Sequence, residues 1–269
     1  FPAMLGTQES EEMVRRLEFG LKDLSEVEGK KYEYAMLEEL EELDRAALRE
    51  RRILNRAAVE KKAPAGIILS EDEDTSILLN GDDHIRIQLL SSGLHLEELW
   101  ERADALDDYI NERFPYAFDD RYGYLTSFPT NVGTGLRASV VVHLPMLSSG
   151  RKFPALIADM SRFGTAVRGV YGEGEENFGS LYEISNQKTL GQSEKEIADV
   201  VTKAAIQLTN QEMTVRKMSL QRRRPEREEE GYKPYRGLKY SRELTDRDRK
   251  IFFFHGLAGT GEGLPATKA

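Results

Sequence analysis

The sequence predicts an α+β fold in which a largely antiparallel sheet is flanked by helices. Strand-like runs arrive in groups, and helical stretches separate the groups rather than single strands. A doubly wound parallel sheet would instead need a helix at nearly every crossover. In addition, the turn pair Gly81-Asp82 lies between two apolar runs, which favours a tight antiparallel hairpin. At 269 residues the chain is long enough to bury a substantial core on both faces of such a sheet.

In chain order, residues 8–24 place Met13, Leu17, Leu21 and Leu24 at helical spacing, which predicts an amphipathic helix. Residues 34–61 read as a highly charged helix with one buried stripe, Leu37, Leu40, Leu43 and Leu48, and Pro64-Ala-Gly66 ends it. Strands are expected at 67–70, 76–80 and 84–90. Residues 95–114 form a helix that holds the lone tryptophan, Trp100, and is closed by Pro115. Residues 122–127 and 138–144 read as strands, 153–163 as a helix, 166–171 and 180–184 as strands, and 193–218 as a long helix. From Gln221 a basic block runs into an acidic one, the pattern of an exposed linker. Residues 1–220 are therefore read as one domain and 221–269 as an appendage. The segment 251–263 has no convincing period.

Composition excludes several functions. A net charge of −9 with 32% charged residues argues against non-specific nucleic-acid binding. No run approaches the ~18 apolar residues of a membrane span. Cysteine is absent, which removes disulfides and thiolate metal sites and suits a reducing, cytoplasmic setting. Four histidines without ligand spacing make a protein-held metal site unexpected.

Three segments carry chemistry, and each puts an arginine on a strand-like run near a carboxylate. Around Arg86, period-two alternation gathers Asp82, His84, Arg86 and Gln88 on one face if pairing runs unbroken. On that strand alone, a solvated polar face fits equally well. Arg137 follows the glycine-bracketed turn Gly133-Thr-Gly135. The string GxGxxA ending at Ala138 matches a dinucleotide fingerprint, but such a fingerprint must open a helix. Ser139, Val140 and Val141 continue as a strand instead, so the dinucleotide reading fails. A glycine turn feeding a strand can still aim backbone N–H groups and an arginine at a phosphate. In the third segment, Gly169, Gly172 and Gly174 bend the chain between Arg168 and Glu173, as a loop closing over substrate would. The late run Gly256–Gly263 lacks the Gly-Lys-Ser/Thr of a phosphate loop and is set aside.

Together, Asp83-His-Ile-Arg-Ile-Gln88, Pro129-Thr-Asn-Val-Gly-Thr-Gly-Leu-Arg-Ala-Ser139, Arg168-Gly-Val-Tyr-Gly-Glu-Gly174 and Ile184-Ser-Asn-Gln187 resemble the ATP:guanidino phosphotransferases, the arginine and creatine kinase superfamily. The third string is similar to the form written by its bacterial protein-arginine kinase branch. The resemblance implies a glutamine-synthetase-like catalytic domain and transfer of the ATP γ-phosphate to arginine side chains of proteins, with Mg²⁺ as the accompanying ion. It implies ATP contacts from Arg86, from Arg137, Ala138, Ser139, Val140 and Val141, and from Arg168, Gly169, Val170, Tyr171, Gly172 and Glu173. Glu173 and Asp82 would be the catalytic carboxylates, and Phe128 and Asn131 would line the substrate pocket. Protein substrates, an activator protein, a protease adaptor and a homodimer are the partners it implies, in protein quality control and stress regulation.

Three departures are expected to matter. Phe128 stands where the family has a reactive cysteine, Arg52 stands near a nucleotide-site histidine, and a Ser-Arg-Ile-Arg segment belongs upstream of Phe1. Residues 235–242 resemble the opening of a C-terminal helical domain. These departures support a second reading, a catalytically impaired module that binds nucleotide or phosphoarginine.

Overall fold

A computed structural model describes residues 1–170, 178–229 and 255–259. Its first half contains helices α1 (Thr7–Gly20) and α2 (Ser25–Glu28), strand β1 (Tyr32–Met36), helices α3 (Glu42–Glu50) and α4 (Arg56–Glu60), strands β2 (Gly66–Ser70), β3 (Thr75–Leu79) and β4 (Ile85–Ser92), and helix α5 (Leu96–Asn111). The short strands β5 (Phe118–Asp119) and β6 (Gly123–Tyr124) come next, followed by β7 (Arg137–His143), α6 (Pro145–Ser148), α7 (Phe153–Arg162), β8 (Thr165–Gly169), β9 (Leu181–Asn186), α8 (Glu194–Glu229) and β10 (His255–Gly259).

Eight strands form one sheet in the order β1-β2-β3-β4-β10-β7-β9-β8, and each neighbouring pair is antiparallel. The expected fold class is therefore what the chain adopts. Alternation sets the two faces. Ile85, Ile87 and Leu89 of β4, Ala138, Val140 and Val142 of β7, and Ile184 of β9 turn to the main core, which α1, α5, α7 and α8 cover with Val14, Leu99, Leu106, Met160, Val201 and Leu208. A smaller core on the other face joins Leu37, Ile53, Leu54 and Ala58 to Ile67 and Leu78. It covers one end of the sheet, and the remaining stretch of that face carries the polar strand residues.

Several expected elements differ. The stretch 34–61 is not one helix. Tyr34 to Met36 pair with β2, and two short helices follow, broken where Arg52 takes a left-handed φ of 65°. Leucine spacing found the buried stripe but could not register the cross-strand partners that claim its beginning. Of 122–127 only Gly123–Tyr124 is a strand, because the following residues hydrogen-bond to the turn before β4. The β3–β4 connection spans residues 80–84, closed by Asn80 N donating to the His84 carbonyl at 2.8 Å. Pairing stops at Leu79↔Ile85, so the alternation drawn through Asp82 does not hold there. Helix α8 continues past residue 220 to Glu229, across the expected linker. His255–Gly259, expected without regular structure, lies between β4 and β7.

Candidate active site

The polar face is assembled by register. Val141 of β7 pairs with Glu183 of β9, and Glu183 pairs with Arg168 of β8. On the other side, Arg137 pairs with Gly259, which pairs with Gln88. Directly opposed residues share a face, so Arg86, Gln88, Arg137, Ser139, Glu183 and Arg168 all project from one side of the sheet. The arginines share a face rather than a point. Arg168 is exposed on the edge strand, and Arg86 is half-buried near the centre.

Arg137 is held more firmly than a surface charge would be. Its Nε donates to Asn131 Oδ1 at 2.9 Å, Nη1 to the Asn186 carbonyl at 2.8 Å and Nη2 to the Thr130 carbonyl at 2.9 Å. Asn186 is itself fixed: its Oδ1 accepts from Ala138 N, and its Nδ2 donates to the carbonyls of Leu136 and Lys188. The Pro-Thr-Asn and Ile-Ser-Asn-Gln strings thus act together as a clamp on one guanidinium. Asn131 is fully buried, and its side chain meets the site through Arg137. Alternation turns the side chains of Ala138 and Val140 away from the site face, leaving only their backbone groups near it. Both side chains sit in the main core, which leaves only Arg137, Ser139 and Val141 of that run on the site face.

The turn between β3 and β4 meets the loop before Arg137. Ser127 N donates to Asp83 Oδ1 at 2.6 Å, and Ser127 Oγ donates to the Asp82 carbonyl at 2.7 Å. This ties the segment holding half-buried Phe128 to the turn that holds Asp82. Asn55 Nδ2 lies 3.5 Å from Asp82 Oδ2, and Lys61 Nζ donates to the carbonyls of Asn80 and Gly81. Burial pushes the Lys61 ammonium below its usual value, with the Asp82 charge opposing that shift. Burial also lowers the Arg86 guanidinium, against the charges of Asp82, Asp83 and Glu183.

Among the described residues, the buried polar atoms without a hydrogen-bond partner include Arg86 Nε and Ser139 Oγ on this face. A buried orphan donor is costly, and both are donors suited to phosphate oxygens. Nearby, a cavity of about 490 Å³ opens where Arg51, Arg52, Asp72, Glu73 and Asp74 face the apolar side chains of Leu90, Val141 and Leu181. Of the remaining expected residues, Gly169 is exposed and Val170 buried, whereas Tyr171, Gly172 and Glu173 lie outside the described residues. Gln88 takes the face that alternation gave it, and its Nε2 donates to the Arg52 carbonyl at 2.6 Å, a bond with no signal in the sequence. Reading the sequence alone missed Glu183, which is only 7% exposed. Glu183 carries no local signature, since only the β9 register reveals that it stands beneath the arginines.

Comparison with known proteins shows the family and the fold. The family "ATP:guanido phosphotransferase, C-terminal catalytic domain" matches residues 12–215. A protein-arginine kinase from Desulforamulus reducens is 38% identical over 250 residues, 92% of this chain and 70% of that protein. One from Halalkalibacterium halodurans is 37% identical, covering 92% of this chain and 69% of its own. Among solved structures, the substrate-free duplicated taurocyamine kinase of Schistosoma mansoni superposes with TM-score 0.67 at 28% identity over 79% of this chain and 31% of that one. Lombricine kinase gives 0.68 at 25% identity over 80% of this chain and 62% of that one.

Proposed function

The chain belongs to the ATP:guanido phosphotransferase family, and from that premise we propose that it is the catalytic part of a protein-arginine kinase. It transfers the γ-phosphate of ATP to arginine side chains of proteins. The observation that carries the reading is the common sheet face of Arg86, Arg137 and Arg168, floored by the unpartnered Arg86 Nε and Ser139 Oγ.

Guanidinium forks bind phosphate oxygens in pairs and offset charge in the planar transition state of phosphoryl transfer. The clamp on Arg137 fixes that fork before nucleotide arrives, so little reorganisation remains for the reaction itself. The base and ribose occupy the cavity beside Arg52, Val141 and Leu181. No group of three metal-ligating side chains occurs among the described residues, so a magnesium ion arriving with ATP would be held mainly by the phosphates and water and would supply positive charge there.

The acceptor guanidinium stays protonated in water, with a pKa of roughly 12 or more. Asp82, with Glu173 as its partner, aligns it and takes its proton. The nitrogen–phosphorus bond forms as the γ-phosphorus to bridging-oxygen bond breaks and ADP leaves. Phe128 forms an apolar wall against the guanidinium plane. The chain works in the cytoplasm, with an activator protein, a protease adaptor and a second copy of itself as partners.

The test incubates the protein with Mg-ATP and an arginine-rich protein and measures acid-labile, alkali-stable phosphate. Incorporation that Glu173→Gln abolishes is expected. Tight ATP binding without any incorporation would replace this reading with that of an impaired nucleotide-binding module.

A further inference from the structure

On the main-core side of the sheet lies a second cavity, about 710 Å³, between α1, α5, β4 and the segment leading to β6. It shares a wall with the candidate active site. Asp83, Leu125 and Thr126 line it, and Asp83 holds Ser127, the neighbour of Phe128.

Its walls are aromatic. Trp100, Phe114, Tyr116 and Tyr124 line it, with Tyr116 and Tyr124 packed edge to face at a centroid separation of 5.7 Å. Carboxylates outnumber cations in the same space. Asp83, Asp104, Asp107, Asp108 and Glu194 all line it, with Arg16, His84 and Phe1 on the same wall. Lys195 lies 5.0 Å over the Trp100 ring. No ion pair within 4.0 Å joins Arg16 or Lys195 to any of those five acids among the described residues. Burial raises the Asp107 carboxyl, and the neighbouring charges of Asp108, Asp104 and Glu194 push it the same way. A surplus of negative charge over aromatic faces is the arrangement that attracts a guanidinium or ammonium group, through ring quadrupoles and Coulomb attraction together.

We infer that this cavity docks a polypeptide segment bearing a cationic side chain with apolar neighbours, the flank of a protein substrate whose target arginine lies across the 125–128 wall. The inference rests on the proposed kinase reading for the identity of the partner, but it predicts binding that needs neither ATP nor turnover. Apolar walls would take the neighbours of the cation, and the acids would select for its charge. A site of this kind contributes to affinity for protein substrates without touching the reacting atoms.

The lone tryptophan, Trp100, reports on the cavity directly. The experiment titrates the protein, without nucleotide, with acetyl-Ala-Leu-Arg-Ala-Leu-amide and follows Trp100 emission. The same peptide carrying citrulline in place of arginine serves as the neutral control. A saturable change with the arginine peptide is expected, weakened at least about tenfold for citrulline and for Asp104→Asn/Asp107→Asn/Glu194→Gln, and weakened by added salt. Glu194→Gln alone, a milder change, should give a smaller loss of the same sign. Equal response to both peptides, an unchanged affinity in the triple variant, or no emission change would overturn the inference. Loss of phosphate transfer with peptide binding intact would count against the kinase reading alone.

Discussion

At the scale of single residues, the account assigns Arg137 and its clamp the most demanding task. Arg137→Lys keeps the charge but loses the fork and all three anchoring geometries, so steady-state assays should show kcat lower by about 10²–10³-fold, the size of losing a preorganised donor. Asn131→Ala should act through Arg137. Removing a buried acceptor costs about 1–3 kcal/mol of stability, and the KM for ATP should rise while the KM for the protein substrate stays put. An equal rise in both would place Asn131 in the acceptor pocket after all. These roles were partly legible. The strings around Arg86, Arg137 and Arg168 pointed to phosphate, yet the sequence could not separate Arg137, which contacts ligand in this account, from Asn131, which positions it. Nothing local distinguishes a buried asparagine from an exposed one.

At the scale of elements, the turn before β7 depends on Gly133. Its φ is 116°, and a Cβ there would lie 2.3 Å from the Thr189 carbonyl oxygen. Gly133→Ala should destabilise the protein by about 2–4 kcal/mol in urea melts, since both a forbidden φ and a backbone clash must be relieved. A second element-level device ties α2, β3 and α5 together. Arg102 donates to Glu28 and Asp74, and Lys30 pairs with Asp72 and Asp74. Burial opposes ionisation of Asp72, but hydrogen bonds from Lys30 and Ser70 hold its carboxyl well below the usual range. Burial likewise opposes ionisation of Asp74, and Lys30 and Arg102 outweigh it. Because both carboxyls are depressed in the folded state, their contribution is present above the unfolded value of 3.8 and is lost as pH falls below it. Thermal melts should therefore show Tm falling below about pH 4 in the native protein and falling less steeply in Asp72→Asn/Asp74→Asn. Charge patterning hinted at none of this, because the partners lie far apart in sequence and meet only through the β1–β2–β3 pairing. The same limit explains why residues 34–61 read as one helix: the leucine stripe is local, whereas the pairing that turns Tyr34 to Met36 into a strand is not.

At the scale of the whole molecule, the sheet serves as a two-sided platform. One side of β4, β7 and β8 fills the main core, and the other presents the arginines, so core and site share the same strands. Ile184 is fully buried between Glu183 and Ser185. Ile184→Ala should cost about 2–5 kcal/mol by chemical denaturation and loosen the site by shifting β9. The antiparallel, helix-flanked architecture was readable from grouped strands and the helical spacing of 8–24 and 95–114. The strand order was not, because register and sheet order are properties of pairing across long separations.

The central claim is that Arg86, Arg137 and Arg168 hold one triphosphate from a single sheet face. Calorimetric titration of ATP into Arg86→Met, Arg137→Met and Arg168→Met tests it most directly. Each variant should bind ATP at least about tenfold more weakly, the loss of a charge-assisted contact, while adenosine binds all three as it binds the unmodified chain. Any one of the three binding ATP with unaltered affinity would contradict the account.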